Sequence, residues 1–249
     1  MTDQVFMLRA FRHYRAVLFD FYGTLTRGVR RGPAHAAVAR RLGCDPDAFV
    51  AMLDATFRAR ATGVYGSDRE SLREVAWALG VYPTERQLRV AAWARVSAIR
   101  ADTHLRPEAV PVLHAVRQRG LRTALVSDCT DELPRFLPDL PIAPLLDACA
   151  LSVRVRACKP DPAMYLTACD QLGVAPHECL YVGDGGGSEL TGAQALGMDA
   201  VRLDAPDLVG HLNFEPDVGW TGPQVSVLTD ILALLDGRRC PVTDLALAG

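Results

Sequence analysis

The sequence predicts an α/β fold, a doubly wound and mostly parallel sheet interrupted after its first strand by an inserted helical segment. Three observations carry this. The run Val17-Leu18-Phe19 ends abruptly in Asp20 and a Gly23-Thr24 turn, as a buried parallel strand does. Residues 33 to about 103 then carry helix signals with almost no strand signal. From Pro107 onward, helical stretches alternate with short apolar runs, as βαβ units require.

Composition bounds the rest. The chain has 249 residues, 49% apolar and 22% charged, enough for one large domain or a core domain with a smaller companion. A formal net charge of −2 gives no basic footprint for nucleic acid or a membrane surface. No apolar stretch approaches the roughly 18 residues that span a bilayer, and the N-terminus lacks a secretory apolar core. Seven Cys at 44, 129, 149, 158, 169, 179 and 240 show no metal-finger spacing. Their odd number points to reduced thiols and a cytoplasmic setting.

Each element has a local cause. Asp45-Pro46 is an N-cap with proline in the first turn, followed by Phe49, Met52, Leu53, Thr56 and Phe57 on one face. Ser67-x-x-Glu70 is a capping box ahead of Leu72, Val75, Ala76 and Leu79, with Gly80 as the stop. Thr84-x-x-Gln87 is another, ahead of Leu88, Ala91, Ala92 and Ile99. Four helices are expected in this insert, a cap spanning 28–104 between core segments 1–27 and 105–249. Trp77 and Trp93 are expected in its core, with a contact surface as the alternative. Arg58, Arg60, Tyr65 and Arg69 surround a Gly-containing turn and are expected on a solvated face, with a substrate-specificity role facing the active site as the alternative.

In the core, a helix over 107–119 stops at Gly120, and a strand over 122–127 ends in Ser127 and Asp128. A short strand near 148–153 leads to Lys159. Asp161-Pro162 caps a helix that stops at Gly173, and a strand over 179–183 ends in Asp184. A helix runs from Ser188 to Gly197, and 199–203 is the last main strand. Residues 204–223 are expected to form a surface loop, 227–236 a final helix, and the tail beyond Gly237 a loosely held end. Such a Rossmann-like sheet lines its strand tips along one edge, where residues distant in sequence converge.

Four motifs carry a family resemblance: DFYGTL with Asp20, LVSD with Ser127, CKPDPAMY with Lys159 and Tyr165, and LYVGDGGGSELTGAQALGM with Asp184 and Glu189. Their order resembles the haloacid dehalogenase-like hydrolases, over roughly 16–26 and 122–198. The resemblance implies Asp20 as nucleophile, Ser127 as a donor to a phosphoryl oxygen, and Lys159 as the balancing cation. Thr24, Asp128 and Tyr22 are the expected substrate-binding residues. It implies Mg²⁺ held by Asp20, Asp184, Glu189 and the backbone carbonyl of Tyr22, although Asp184 can also be read as a helix cap. Magnesium is a hard cation suited to oxygen donors.

One departure matters. The family's phosphatases carry a second Asp two residues after the first, and here that place holds Tyr22. A free Tyr has a pKa of about 10 and holds its proton too tightly to cycle as acid and base near neutrality. The dehalogenase branch carries Tyr there. Three readings follow: a magnesium-dependent phosphatase of a small phosphorylated metabolite, a 2-haloacid dehalogenase-type hydrolase, or a non-catalytic binding protein. An intact Asp184 favours the first. Gly185–Gly187 form no nucleotide loop and are expected to permit a tight turn. The six His show no ligand spacing and are expected as surface or packing residues. Cys129 and Cys158 are expected as buried thiols.

Overall fold

Short, largely buried strands, most of them followed by a polar residue, form the sheet. The structure is a computed structural model that describes residues 14–237. The tail beyond Gly237 and Cys240 lie outside the described residues. Strand β1 (Ala16–Phe19) is buried along its whole length and is flanked by β2 (Arg122–Ser127) and β4 (Cys179–Gly183), both parallel to it. Beyond them lie β3 (Ala148–Leu151), β5 (Asp199–Leu203) and a two-residue edge strand β6 (Gln224–Val225). The order is β3-β2-β1-β4-β5-β6, with every pair parallel. The chain therefore steps outward from β1 to β3, then crosses to β4 on the other side. The strand order reverses there, and such sheets open a ligand crevice at that point.

The helical insert follows β1 directly. It holds α1 (Ala34–Leu42), α2 (Pro46–Ala55), α3 (Phe57–Ala61), α4 (Asp68–Ala78) and α5 (Glu85–Asp102). Five helices replace the expected four because Thr56 interrupts the second: its hydroxyl donates to Met52 O at 2.6 Å, and α3 restarts immediately after it. Asp45 accepts from Asp47 N and Ala48 N, and both capping boxes form. Val38, Phe49, Leu53, Leu72, Val75 and Leu88 pack into an apolar core of the insert's own. Trp77 and Trp93 do not join it. They are 47% and 63% exposed, each standing just past a buried pair (Val75-Ala76 and Ala91-Ala92) and so turned off the buried stripe. Trp93 instead lies under the Arg135 guanidinium, 4.7 Å away.

After the insert come α6 (Ala109–Gln118), α7 (Leu133–Phe136), α8 (Ser152–Val155), α9 (Pro162–Leu172), α10 (Glu189–Ala195) and α11 (Ile231–Leu235). Alternate strand residues face opposite sides. Val17, Phe19, Leu125 and Val182 pack with residues of α6, α7 and α11. Leu18, Ala124, Val126 and Tyr181 pack with residues of α9 and α10. Strand β3 stops at Leu151, earlier than expected, because Ser152 turns inward. Its hydroxyl donates to Cys129 O and accepts from Cys129 N. The final helix opens with a tighter turn over Leu228–Asp230, so α11 itself spans only Ile231–Leu235. Among the described residues, no helix is long and apolar enough to cross a membrane.

Candidate active site

Asp20 follows β1 and is locked by its own N–H, which donates to Val182 O at 2.9 Å. The chain then turns sharply at Gly23 (φ 85°). A Cβ there would lie 2.7 Å from Asp184 Oδ2 and 2.9 Å from His211 Nε2, so both the backbone angle and the space demand glycine. Arg106 braces this turn, donating to Gly23 O and Thr24 O at 2.8 and 3.0 Å and pairing with Asp207 at 2.7 Å. Nothing in the sequence motifs marks Arg106.

Lys159 reaches the same point after β3 and α8. Its ammonium donates to Asp20 Oδ1 at 2.6 Å and Glu189 Oε2 at 2.5 Å. Burial alone would lower its pKa, but Asp20 and Glu189 outweigh that and hold it well above its ordinary value. Lys159 is a fixed cation. Both Glu189 oxygens are engaged: Oε2 also accepts from Tyr181 OH at 2.7 Å, and Oε1 accepts from Gly185 N at 2.9 Å. A Cβ at Gly183 would sit 2.0 Å from Glu189 Oε1, which accounts for the glycine ahead of Asp184.

Asp184 ends β4. Its Oδ1 accepts from Gly186 N at 3.0 Å, and its Oδ2 faces His211 Nε2 at 3.2 Å and Asn213 Nδ2 at 3.4 Å. His211 Nδ1 accepts from Val29 N at 2.7 Å, so a neutral ring carries its proton on Nε2 and aims it at Asp184. Burial pushes the Asp184 carboxyl up, but His211, the Gly186 N–H and Lys159 together hold it below the usual range. His211 is thus a site residue, where the sequence predicts surface or packing.

Asp20, Asp184 and Glu189 each offer an oxygen within 4.8 Å of the others. Three carboxylates against one lysine leave an excess of negative charge. Asp20 Oδ2 is buried with no hydrogen-bond partner, and burial and Asp184 raise the Asp20 carboxyl despite Lys159. This donor set fits a hard divalent cation. Asp20 and Asp184 could hold it, and Glu189 could add a third oxygen beside the hydrogen bonds it already accepts.

The other predicted residues divide. Ser127 and Thr24 are fully buried and do not line the cavity over the strand tips, whereas Asp128 and Tyr22 do. The Ser127 hydroxyl makes only a 3.5 Å contact to Asp128 O. Tyr22 sets its ring edge-on to Phe21, with centroids 4.8 Å apart. Burial, with Cys129 and Glu132 adding to it, pushes its phenol well above the ordinary value. Asp128 Oδ1 accepts from Lys159 N at 3.0 Å, and burial, against the pull of Lys159, pushes its carboxyl up to about 6. Cys129 and Cys158 are buried, as the sequence predicts.

The cavity measures about 320 Å³ and is roofed by the insert and by residues 211–215. Arg60, expected on a solvated face, is 4% exposed. It lines the cavity and donates to Leu53 O at 2.7 Å. Burial and the neighbouring Arg95 push its guanidinium down to about 9. Residues 204–223 are no plain surface loop. Gly187 N donates to Phe214 O, Ser188 N to Glu215 O, and Asp217 accepts from Leu190 N and Thr191 Oγ1, capping α10. So anchored, the loop meets the insert directly: Phe214 stacks on Phe57 with centroids 4.3 Å apart, and Glu215 pairs with Arg58 at 2.9 Å.

Comparison with known proteins agrees with this arrangement. The chain is 28% identical over 233 residues to (S)-2-haloacid dehalogenase 4A of Burkholderia cepacia, covering 89% of this chain and 94% of the relative. It is 28% identical over 247 residues to phosphoglycolate phosphatase of Pseudomonas putida, covering 94% and 83%. With (S)-2-haloacid dehalogenase 1 of Pseudomonas sp. the identity is 32%, but the match spans only 55% of that relative. The fold matches that of L-2-haloacid dehalogenase from Xanthobacter autotrophicus, solved with chloropropionic acid covalently bound. The TM-score is 0.62 at 21% identity, over 91% of this chain and all of that one. Residues 14–197 match the haloacid dehalogenase-like hydrolase family. With the strand-tip carboxylates and their lysine in place, the chain belongs to that family and is a hydrolase.

Proposed function

We propose that the chain is a magnesium-dependent phosphatase of a small phosphorylated metabolite, working through an aspartyl-phosphate on Asp20. The insert 28–104 acts as the cap of a core made of 1–27 and 105–249, and the setting is cytoplasmic, in keeping with six free cysteines among the described residues. One observation carries the reading. Asp20 keeps one oxygen on Lys159 and the other buried without a partner beside Asp184, an arrangement that a bound cation and phosphoryl group would complete.

In this reading, an Asp20 carboxylate oxygen bonds to phosphorus as the bond to the leaving oxygen breaks. Water then attacks phosphorus, releasing phosphate and restoring the carboxylate. Lys159 offsets the charge of Asp20 and the phosphoryl oxygens, and Glu189 with Tyr181 keeps it in place. Ser127, to which the family resemblance gives a phosphoryl contact, lies buried behind the cavity wall and has no substrate contact in this reading. When bound, magnesium held by Asp20, Asp184 and the Tyr22 carbonyl supplies charge neutralisation to the phosphoryl group. Arg60, buried in the cap and facing the cavity, reads an anionic group on the rest of the substrate.

Tyr22 favours a second reading. A dehalogenase expels halide, needs no leaving-group acid, and would form an aspartyl ester on Asp20. Assays on an aryl phosphate, an alkyl phosphate and a 2-haloacid, each with and without magnesium, separate the two. Metal-stimulated phosphate release is expected. Metal-indifferent halide release without phosphatase activity would refute the proposal.

A further inference from the structure

An alkyl phosphate leaves as an alkoxide that must be protonated, and Tyr22 stands where the family's phosphatases carry an acid. Several groups lining the cavity hold protons. The Tyr22 phenol is pushed away from neutrality by burial. The Lys159 ammonium is committed to two carboxylates. The His211 ring is fixed by Val29 N–H and points its remaining proton at Asp184. The Cys129 and Cys158 thiols are pushed up by burial, Cys158 to about 12.

Asp128 differs from all of these. It sits on the loop just past β2 and is partly open to the cavity. Lys159 N–H pins its Oδ1. Its Oδ2 stands beside Gly187, where a Cβ would come within 3.1 Å, so the glycine leaves that oxygen room.

We propose that Asp128 is the proton carrier of the reaction. Its carboxyl gives a proton to the departing oxygen as Asp20 bonds phosphorus. Its carboxylate then takes a proton from the water that attacks the aspartyl-phosphate, so that phosphate is released and both acids return to their starting forms. The proposal rests on the phosphatase reading. Charge around Asp128 supports it: burial and Asp20 favour the protonated form, while Lys159 and Arg58 oppose it, giving a carboxyl that titrates at about 6. The remaining neighbours, Cys129, Cys158 and Tyr165, stay neutral because burial raises each of them. An acid so tuned can both give and regain a proton near neutral pH.

The test compares 4-nitrophenyl phosphate, whose leaving group needs no proton, with propyl phosphate, whose leaving group does. In Asp128→Asn and Asp128→Ser, the alkyl-to-aryl ratio of kcat/KM is expected to fall about 100-fold, and Tyr22→Phe to leave that ratio unchanged. In the wild type, alkyl turnover alone is expected to decline as pH rises above about 6, because the acid must start protonated. Equal losses on both substrates in the Asp128 variants, or an unchanged ratio, overturn the proposal while leaving the phosphatase reading intact. A wild type that hydrolyses neither ester overturns both.

Discussion

The floor and the roof of the cavity are held by different forces. On the floor, Asp20 and Asp184 directly follow strands, Lys159 follows α8 and Glu189 opens α10. All are at most 5% exposed, and nearly every carboxylate oxygen has a buried donor. On the roof, cap helix α3 meets Phe214 and Glu215 through one ring stack and the Arg58–Glu215 pair, whose side chains are 56% and 60% exposed. An exposed pair contributes under about 1 kcal/mol and a ring pair about 0.5–1.5 kcal/mol. Removing one partner from a buried pair costs about 3–5 kcal/mol. The floor is therefore rigid and suited to one chemistry, whereas the roof can be reshaped cheaply and suits the choice of substrate.

Four substitutions would break or sharpen that contrast. Asp20→Asn removes the attacking carboxylate and should lower kcat by at least about 10⁴-fold. Steady-state rates check this, and a smaller loss would move the chemistry off the floor. Asp184→Asn should cut the magnesium-stimulated rate by about 10²–10³-fold, and chelation of the wild type should mimic it. A variant as responsive to magnesium as the wild type would mean that the ion binds elsewhere. Arg60→Met should raise KM about 10- to 100-fold for phosphates with a second anionic group, and far less for those with a neutral tail. A uniform rise would make Arg60 a packing residue only. Arg58→Ala should change KM by no more than a few-fold, with an effect that fades as salt is added. A large, salt-independent loss would show that the roof is as rigid as the floor.

The same contrast explains what the sequence could reveal. The floor was legible because each of its residues ends a local pattern. Asp20, Asp184 and Ser127 close apolar strands, and Asp161 and Pro162 after Lys159 open a helix. The cap helices were legible from their capping boxes. The roof depends on contacts between distant segments with no periodic signature. Val29 orients His211, Asp217 caps a helix 27 residues before it, and Arg106 holds a turn more than 80 residues away. Arg60 and Trp93 show the converse. Local pattern favoured the arginine outside and the tryptophan inside. The cavity instead buries Arg60, and Trp93 falls just off the buried stripe of α5, under Arg135. The high content of Pro, Gly and Asp in 204–223 correctly signalled irregular backbone, but such backbone can still be stitched to a site when its amides find partners.

The central claim is that Asp20 becomes a phosphorylated intermediate that water opens at phosphorus. A single turnover with enzyme in excess, run in ¹⁸O-labelled water with an aryl phosphate, tests it most directly. Mass spectrometry then reads both the released phosphate and the peptide containing Asp20. The account predicts one labelled oxygen in phosphate and none in the Asp20 carboxylate. Label in the Asp20 side chain, as hydrolysis of an aspartyl ester at its acyl carbon would leave, would contradict it.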